Sequence, residues 1–528
     1  MRITNNVIMR NTKTNINGNK NTVNDMNNQM SSQKKIALPS DDPVIAVRAL
    51  RLRSNLGELD QYLHTNIEQA DSWLDITETA VSNISSLLNK IYDNCVHGAN
   101  DTLSQEDRRT ILTQLKQNRD QIHSEGNTDY AGRTVFTGYK TNGPLTYTEA
   151  APKDHYEIDQ RLSFENLEEY RYNYNQVTEG TISDFKHADY NTSKDPGSEI
   201  VNRIRLAYHT LDATKDTSTD PITVTCSAKI YSVITDSTSP DVGKVDKTDE
   251  LAYEPVTTSM LEAVGYDITQ LDNGNGMVLN VDTGELLFTD EKADELKQNM
   301  SKFQITYEKT GFQKNDLTPE DYFDCRKYND TDTDVEKNFT HFKEDGSWIT
   351  EEINYTVAIN QEFSINIEAK DVLNQDIGRD IIDLENAVSA SIDAHDKVTK
   401  LESMLKLDAY QDPESQSKLN GLLARANKEA DYADQQMRDL YTHYVGKFRS
   451  YIDTAELART DIGARGDRLA LTKNRVQAQY DTVDKLKAQN EDADLSDIVI
   501  DYQASYLAYQ ASLQAASKVQ QQTLLDYI

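Results

Sequence analysis

The feature that most constrains this 528-residue chain is a three-four recurrence of apolar residues, strong toward both ends and lost in the middle. Leu419, Leu423, Ala426, Ala430, Ala433, Met437, Leu440, Tyr444, Phe448, Tyr451, Ala455, Ala458 and Ile462 keep this spacing, as a helix with one buried stripe does. Continued to about Lys487, such a helix is a rod of roughly 100 Å at 1.5 Å per residue. The first third repeats the pattern at Leu52, Leu56, Leu59, Leu63, Ile67, Ala70, Leu74, Thr77, Val81, Ile84, Leu88, Ile91 and Cys95.

That N-terminal helix is expected to open at Ser40-Asp41-Asp42-Pro43, where short polar side chains cap free N–H groups and proline suits the first turn. It stops near Gly98, and a second helix starts at Ser104 with Asp107 three residues on. Helix returns at Ile377, Ile381, Leu384, Val388 and Ile392 and pauses at Asp412-Pro413 before the long run. After a polar break at Asn490 to Asp494, a last helix carries Leu495, Val499, Tyr502, Tyr506, Tyr509, Leu513 and Ala516 on one stripe, with Leu524 and Ile528 near the end.

Between these ends the period is two. Thr134-Val135-Phe136-Thr137 and Leu145-Thr146-Tyr147 are expected to pair as a hairpin, and a short helix is expected around Ile200 to Leu211. Alternation is clean at Ile353, Tyr355, Val357 and Ile359 and again at Phe363, Ile365 and Ile367, while Asp282-Thr283-Gly284 and Asp345-Gly346 sit where hairpin turns belong. The fold class expected is α+β: an elongated antiparallel helical rod made from both chain ends, with a projecting β-rich central domain. The expected segments are an amphipathic N-terminus (1–39), the N-terminal part of the rod with its hairpin (40–148), the central domain (149–374), the C-terminal part of the rod (375–490) and a C-terminal amphipathic helix (491–528).

A net charge of -33 argues against nucleic acid as a partner, because phosphate binding rests on clustered Lys and Arg. The first 35 residues are the exception, with Arg2, Arg10, Lys13, Lys20, Lys34 and Lys35 against Asp25, as in a mobile basic arm. No stretch approaches the roughly 20 apolar residues of a membrane span, and the start has no apolar signal region, so export by the general secretory route is not expected. Cys95, Cys226 and Cys325 are too scattered for a disulfide framework or a zinc site.

No catalytic motif emerges, and no cofactor is expected. The histidines form no ligand pair, and there is no nucleophile elbow, phosphate loop or dinucleotide fingerprint. Asp330, Asp332, Asp334 and Glu336 alternate as calcium ligands can, but Val335 and His341 stand where an EF-hand loop needs glycine and a closing glutamate; a solvated acidic loop is the simpler reading. Tyr170, Tyr172, Tyr174 and Trp348 are candidate sugar-stacking rings, which would make the centre a carbohydrate-binding or adhesive module. The terminal stripes are expected to form an assembly interface: Ile3, Val7, Ile16, Val23, Met26 and Met30 with Leu495, Val499, Tyr502, Tyr506, Tyr509, Leu513, Leu524 and Ile528. Two such narrow stripes bury too little apolar surface to offset chain ordering, so both ends are expected to be disordered in the monomer and to order when neighbouring subunits complete the core.

Several elements resemble flagellar hook-associated protein 3, the family of hook-filament junction proteins related to flagellin. Met1-Arg2-Ile3-Thr4 is similar to that family's start, and Pro39-Ser40-Asp41-Asp42-Pro43-Val44-Ile45-Ala46 to its entry into the first long helix. Leu103-Ser104-Gln105-Glu106-Asp107-Arg108 resembles its second-helix start. The segment from Gly132 to Thr141, with Gly132, Arg133, Phe136, Gly138 and Thr141, resembles its hairpin, and Gly463-Ala464-Arg465 an element of its C-terminal rod. The resemblance covers about residues 1–148 and 375–528. It implies a non-enzymatic structural subunit of the extracellular bacterial flagellum, exported by the flagellar type III apparatus with a chaperone on the C-terminal helix. It also implies a ring of copies of itself between the first hook-associated protein and flagellin. Flagellin itself is the alternative within the same class.

Overall fold

The computed structural model describes residues 5–521, except 101–102, 179, 181–193, 217, 219–221, 236–238, 240, 329–334 and 344–345. In chain order the N-terminal helices are α1 (Asn5–Ser32), α2 (Pro43–Gln61), α3 (Ile67–Asn100) and α4 (Gln105–Gly126). The C-terminal ones are α7 (Ile377–Leu405), α8 (Pro413–Glu491) and α9 (Leu495–Gln521), with short helices α5 (Thr258–Ala263) and α6 (Asp290–Gln298) between. The expected α+β arrangement, helical at both ends and β-rich in the centre, is what the chain adopts. It divides into two compact units, residues 1–71 with 354–363 and 467–528, and residues 72–353 with 364–466.

In the first unit Asp42 caps α2, its carboxylate accepting from Val44 N at 2.9 Å and Ile45 N at 3.1 Å, with Pro43 in the first turn. Between α2 and α3 lies one π-turn, Tyr62–Asn66. The buried stripe passes through it from Leu59 to Leu63 and Ile67 and on to Ala70. A π-turn absorbs one extra residue and keeps both halves of the stripe on one face. A hairpin of β16 (Asn354–Ala358) and β17 (Gln361–Ser364) buries Val357 and Phe363, as the alternation predicts, and Ile359 falls in its exposed turn. The Asn66 amide donates to Thr356 O at 2.7 Å, and Arg468 lies 5.5 Å over the Phe363 ring.

In the second unit Ser104 and Asp107 form a reciprocal capping box at the head of α4. The hairpin expected from 134–137 and 145–147 is not formed. Instead β1 (Asp129–Tyr130) pairs with β2 (Arg133–Thr134) around Ala131 and Gly132, both at positive φ, as tight hairpin turns require. Leu145 is buried, and Thr146 bridges to Leu317.

The remaining strands are β3 (Ala151–Ser163), β4 (Glu168–Tyr174), β5 (Gly197–Arg205), β6 (Ala213–Asp216), β7 (Thr223–Cys226), β8 (Lys229–Val233) and β9 (Val245–Glu250), followed by β10 (Glu254–Val256), β11 (Met277–Asn280), β12 (Glu285–Phe288), β13 (Lys302–Phe312), β14 (Asp324–Tyr328) and β15 (Val335–Phe339). One sheet runs β15-β14-β3-β13-β8-β9, antiparallel throughout; a second runs β10-β11-β12-β5-β4 with only β10-β11 parallel; and β6 and β7 pair as a separate antiparallel ribbon.

The short helix expected around 200–211 is strand β5. Val201 to Arg205 are all buried, because β5 lies between β4 and β12 and is covered on both faces, so neither a two-residue nor a helical period shows in the sequence. Its Arg203 and Arg205 carry the charge network that joins this sheet to α7 and α8. Arg203 bonds Glu168 of β4 at 2.9 Å and Glu285 of β12 at 2.6 Å, and also reaches Asp383 of α7. Arg205 bonds Glu168 and Asp383, each at 3.0 Å, and Asp380. From α8, Lys447 reaches Asp380 at 2.9 Å, and the Tyr444 and Tyr451 hydroxyls donate to Asp383 and Asp380 at 3.1 and 2.7 Å. Burial pushes the Glu168 and Asp383 carboxyls up, but Arg203 and Arg205 outweigh it and hold both below their ordinary values.

Removing one partner strands the others without counter-charge. Asp383→Ala is expected to lower stability by about 3–5 kcal/mol, and Tyr444→Phe, which removes one bond to a charged group, by about 1.5–3 kcal/mol; both are read from urea unfolding of the second unit. Because both carboxyls titrate lower folded than unfolded, this stabilisation is complete above the ordinary carboxylate range and is lost as pH falls through it and below.

Candidate assembly interface

The interface expected from the terminal stripes falls within the first unit. Here α1 and α9 lie side by side. They run antiparallel: Lys34 bridges Asp492, and the Asn19 amide reaches Ala508 O at 3.4 Å.

Both helices half-bury one seam at three-four spacing, Thr12, Ile16, Asn19, Val23, Met26 and Met30 on α1 and Tyr502, Ser505, Tyr509, Ser512 and Ala516 on α9, where Ile498 alone is fully buried. Of the expected α1 residues, Ile16, Val23, Met26 and Met30 lie in this seam and Val7 is exposed; Ile3 lies outside the described residues. Of those on α9, Tyr502 and Tyr509 lie in the seam, while Leu524 and Ile528 are outside the described residues. Leu495, Val499, Tyr506 and Leu513 are 49%, 36%, 43% and 43% exposed, against 6% for Ile498.

The C-terminal helix therefore carries two interleaved stripes that share Tyr502, Tyr509 and Ala516. One flank, Ile498, Ser505 and Ser512, is largely polar and belongs to the half-buried seam. The other, Leu495, Val499, Tyr506 and Leu513, is apolar and open to solvent. Apolarity alone marked the outward flank. Ile498, Thr12, Asn19, Ser505 and Ser512 were missed, and only a search for three-four spacing blind to residue type finds them.

Below the pair a charged clip closes the seam. Arg53 grips Glu491 through two bonds of 2.7 and 2.5 Å, Lys34 lies 2.5 Å from Asp492 and 3.6 Å from Glu491, and Lys35 Nζ donates to Gln489 O. Backbone bonds from Lys35 N to Glu491 O at 2.8 Å and from Ala493 N to Gln33 O at 3.0 Å complete it. The hydrogen bonds from Arg53 hold the Glu491 carboxyl below its ordinary value. The signal for this clip was the change of charge sign, Lys34-Lys35 at one end of the chain against Glu491-Asp492 at the other.

The family-motif residues are mostly structural. The Asp41 carboxylate accepts from Leu38 N at 2.8 Å, next to the cap made by Asp42 and Pro43. In the second unit Gly132 N donates to Asp129 at 2.8 Å, Arg133 lies 5.1 Å over the Trp73 ring, and Phe136 is buried. Gly138, at φ +57°, leaves the room that Glu351 needs to accept from Tyr139 N at 2.7 Å, and Thr141 O accepts from Thr134 N. Arg465 donates to Asn366 O at 2.9 Å and pairs with Asp461, Ala464 is exposed, and a side chain at Gly463 would meet open space.

The other candidate sites are absorbed by packing or lie beyond description. Tyr172 stacks on Tyr266 at 4.4 Å, Arg203 covers Tyr170 at 3.5 Å, Tyr174 tilts against Tyr266, and Trp348 stacks on His341 with Lys370 4.5 Å from its ring. Asp330, Asp332 and Asp334 lie outside the described residues, and Glu336 is exposed. Among the described residues no three His, Cys, Asp or Glu side chains are arranged to hold a metal ion, and no helix is long and apolar enough to cross a membrane.

Glu491→Gln is expected to weaken the clip and speed amide exchange across 495–521, read by hydrogen-deuterium exchange. Since Glu491 titrates below its ordinary value in the folded chain, the clip is complete above the ordinary glutamate range, and exchange should accelerate as pH falls through and below it, after correction for intrinsic rates.

Residues 3–141 match the bacterial flagellin N-terminal helical region, and residues 446–528 match the bacterial flagellin C-terminal helical region. Flagellar hook-associated protein 3 of Salmonella typhimurium is 35% identical over 127 residues, 24% of this chain and 38% of that protein. Its namesake from Escherichia coli is 33% identical over 114 residues, 21% of this chain and 36% of that protein. The matched stretches thus span less than two fifths of those relatives. Among solved structures, a putative flagellar hook-associated protein from Vibrio parahaemolyticus aligns over 86% of this chain and all of its own, at 14% identity and a TM-score of 0.33. Hook-associated protein 3 from Legionella pneumophila aligns over 83% of this chain and 97% of its own, at 10% identity and a TM-score of 0.28. Both ends of this chain are thus similar to flagellin-type helical regions, and the curated proteins to which it is similar are flagellar hook-associated proteins 3.

Proposed function

We propose that this chain is a structural, non-catalytic subunit of the bacterial flagellum that forms the junction between hook and filament. Its assembly partners are further copies of itself in a ring, the first hook-associated protein on one side and flagellin on the other. It acts outside the cell, after export by the flagellar type III apparatus with a chaperone on the C-terminal helix.

The observation that carries this reading is the outward flank of α9. Leu495, Val499, Tyr506 and Leu513 form an exposed apolar ridge on a helix whose inward flank is the more polar one. A self-contained helix pair is patterned the other way round. With Thr, Asn and Ser in the seam, the pair is weakly held, so both terminal segments order fully only when neighbouring copies cover the ridge. A filament subunit is the second reading, and the names of the two curated relatives favour the junction.

Tyr506→Asp combined with Leu513→Asp should abolish incorporation into flagella while leaving hydrogen-exchange protection of 413–466 unchanged. Normal incorporation of that variant would remove the ridge as the assembly surface. In isolated flagella the chain should be far scarcer than flagellin and confined to the hook end; labelling along the whole filament would instead establish a filament subunit.

A further inference from the structure

The pair of α1 and α9 carries opposite charge at its two ends. Near its N-terminus α1 presents Arg10 and Lys13, with Lys20 two turns further on, all exposed and, among the described residues, without an ion pair; Asp25 is the one acid on this helix. Met9, 52% exposed, lies on the same side of α1.

At the opposite end, beside the charged clip, a groove of about 520 Å³ opens between α1, the end of α8 and the start of α9. Half-buried Met26 and buried Ile498 give it an apolar floor, and exposed Asp494, Asp497 and Asp501 line it with three carboxylates. None of the three meets a cation among the described residues, because the nearby ammonium groups are taken, Lys34 by Asp492 and Glu491 and Lys35 by Gln489 O. Exposed carboxylates by themselves need no partner, but these border apolar surface, and a helix end that matches both features belongs to the same chain. Asp494 and Asp501 are seven residues apart, as are Lys13 and Lys20, so both pairs repeat at roughly 10 Å along the chain. The tip of α1 cannot reach its own groove, since Lys13 stands roughly 20 Å from Met26 along the helix.

We infer that the groove receives the N-terminal end of α1 from a second copy of this chain, with Met9 over Met26 and Ile498, and with Arg10, Lys13 and Lys20 against Asp494, Asp497 and Asp501. Complementary charge speeds the encounter and fixes its register. Such a contact joins two different surfaces, tip to groove, so its repetition closes a ring where the rotation between copies allows and otherwise winds a helix. The inference rests on the reading that copies of the chain assemble with one another, and it names which surfaces meet; the ridge of Leu495, Val499, Tyr506 and Leu513 lies on another side of α9.

The test is sedimentation velocity of the purified full chain at low and at high salt. Self-association is expected at low salt and should be screened at high salt. Reversing one surface, by Arg10→Glu with Lys13→Glu or by Asp497→Lys with Asp501→Lys, should weaken association at least about tenfold, and mixing the two reversed chains should restore it. Where a reversed chain loses hydrogen-exchange protection across 495–521, Asp497→Asn with Asp501→Asn takes its place and should still weaken association. A wild-type chain that stays monomeric, association that ignores salt or survives the substitutions, or a mixture of two folded reversed chains that stays apart would overturn the inference. Incorporation into flagella is read separately, so a failed contact with normal incorporation removes this contact and leaves the junction role standing.

Discussion

The second unit depends on a few buried charges. Arg203 and Arg205 sit side by side on one strand, and their acids come from three directions: β4, β12 and α7. Hydrophobic contacts between a sheet and a helical layer are tolerant of sliding, because apolar side chains are interchangeable partners. A guanidinium that must meet one carboxylate on each neighbour is not. The network therefore contributes register more than net stability, since ion pairs of this kind often gain little over a well-packed apolar core. In a protein whose β-rich centre is inserted between two helical sequences, register is what is needed.

The first unit is held by weaker means, and this fits its proposed role. Its charged clip is partly exposed and so contributes modestly. Its seam alternates Ile, Val and Met with Thr, Asn and Ser, and the larger apolar side chains of α9 face solvent. Such a pair can exist in one chain and still gain from a neighbour. A core divided between subunits gives polymerisation a driving force that a finished fold would lack.

The helical ends were legible because their periodicity is dense: from Leu419 to Ile462 nearly every expected position is buried. Caps were legible too, since Asp42-Pro43 and Ser104 with Asp107 act through neighbours two or three residues away. What failed was non-local. Val201 to Arg205 read as helix because burial on both faces erases alternation, and the acids that neutralise its arginines lie up to 180 residues away. The hairpin near 134 was misplaced because Leu145 and Thr146 pack against the 317 region rather than their sequence neighbours. On α9 the apolar flank was found while Ile498, Ser505 and Ser512 were missed, because hydrophobicity and burial diverge on this helix.

The π-turn at Tyr62–Asn66 has a consequence of its own. Elsewhere in the helical stretch from Pro43 to Asn100, losing or gaining one residue turns everything beyond it by about 100° and takes the stripe out of contact. At this turn a surplus residue is already stored in the backbone, so a one-residue deletion there would simply restore ordinary helical geometry with both faces still in phase. The turn thus acts as an expansion joint, the place where a sequence under change can alter helix length without disturbing what packs above and below.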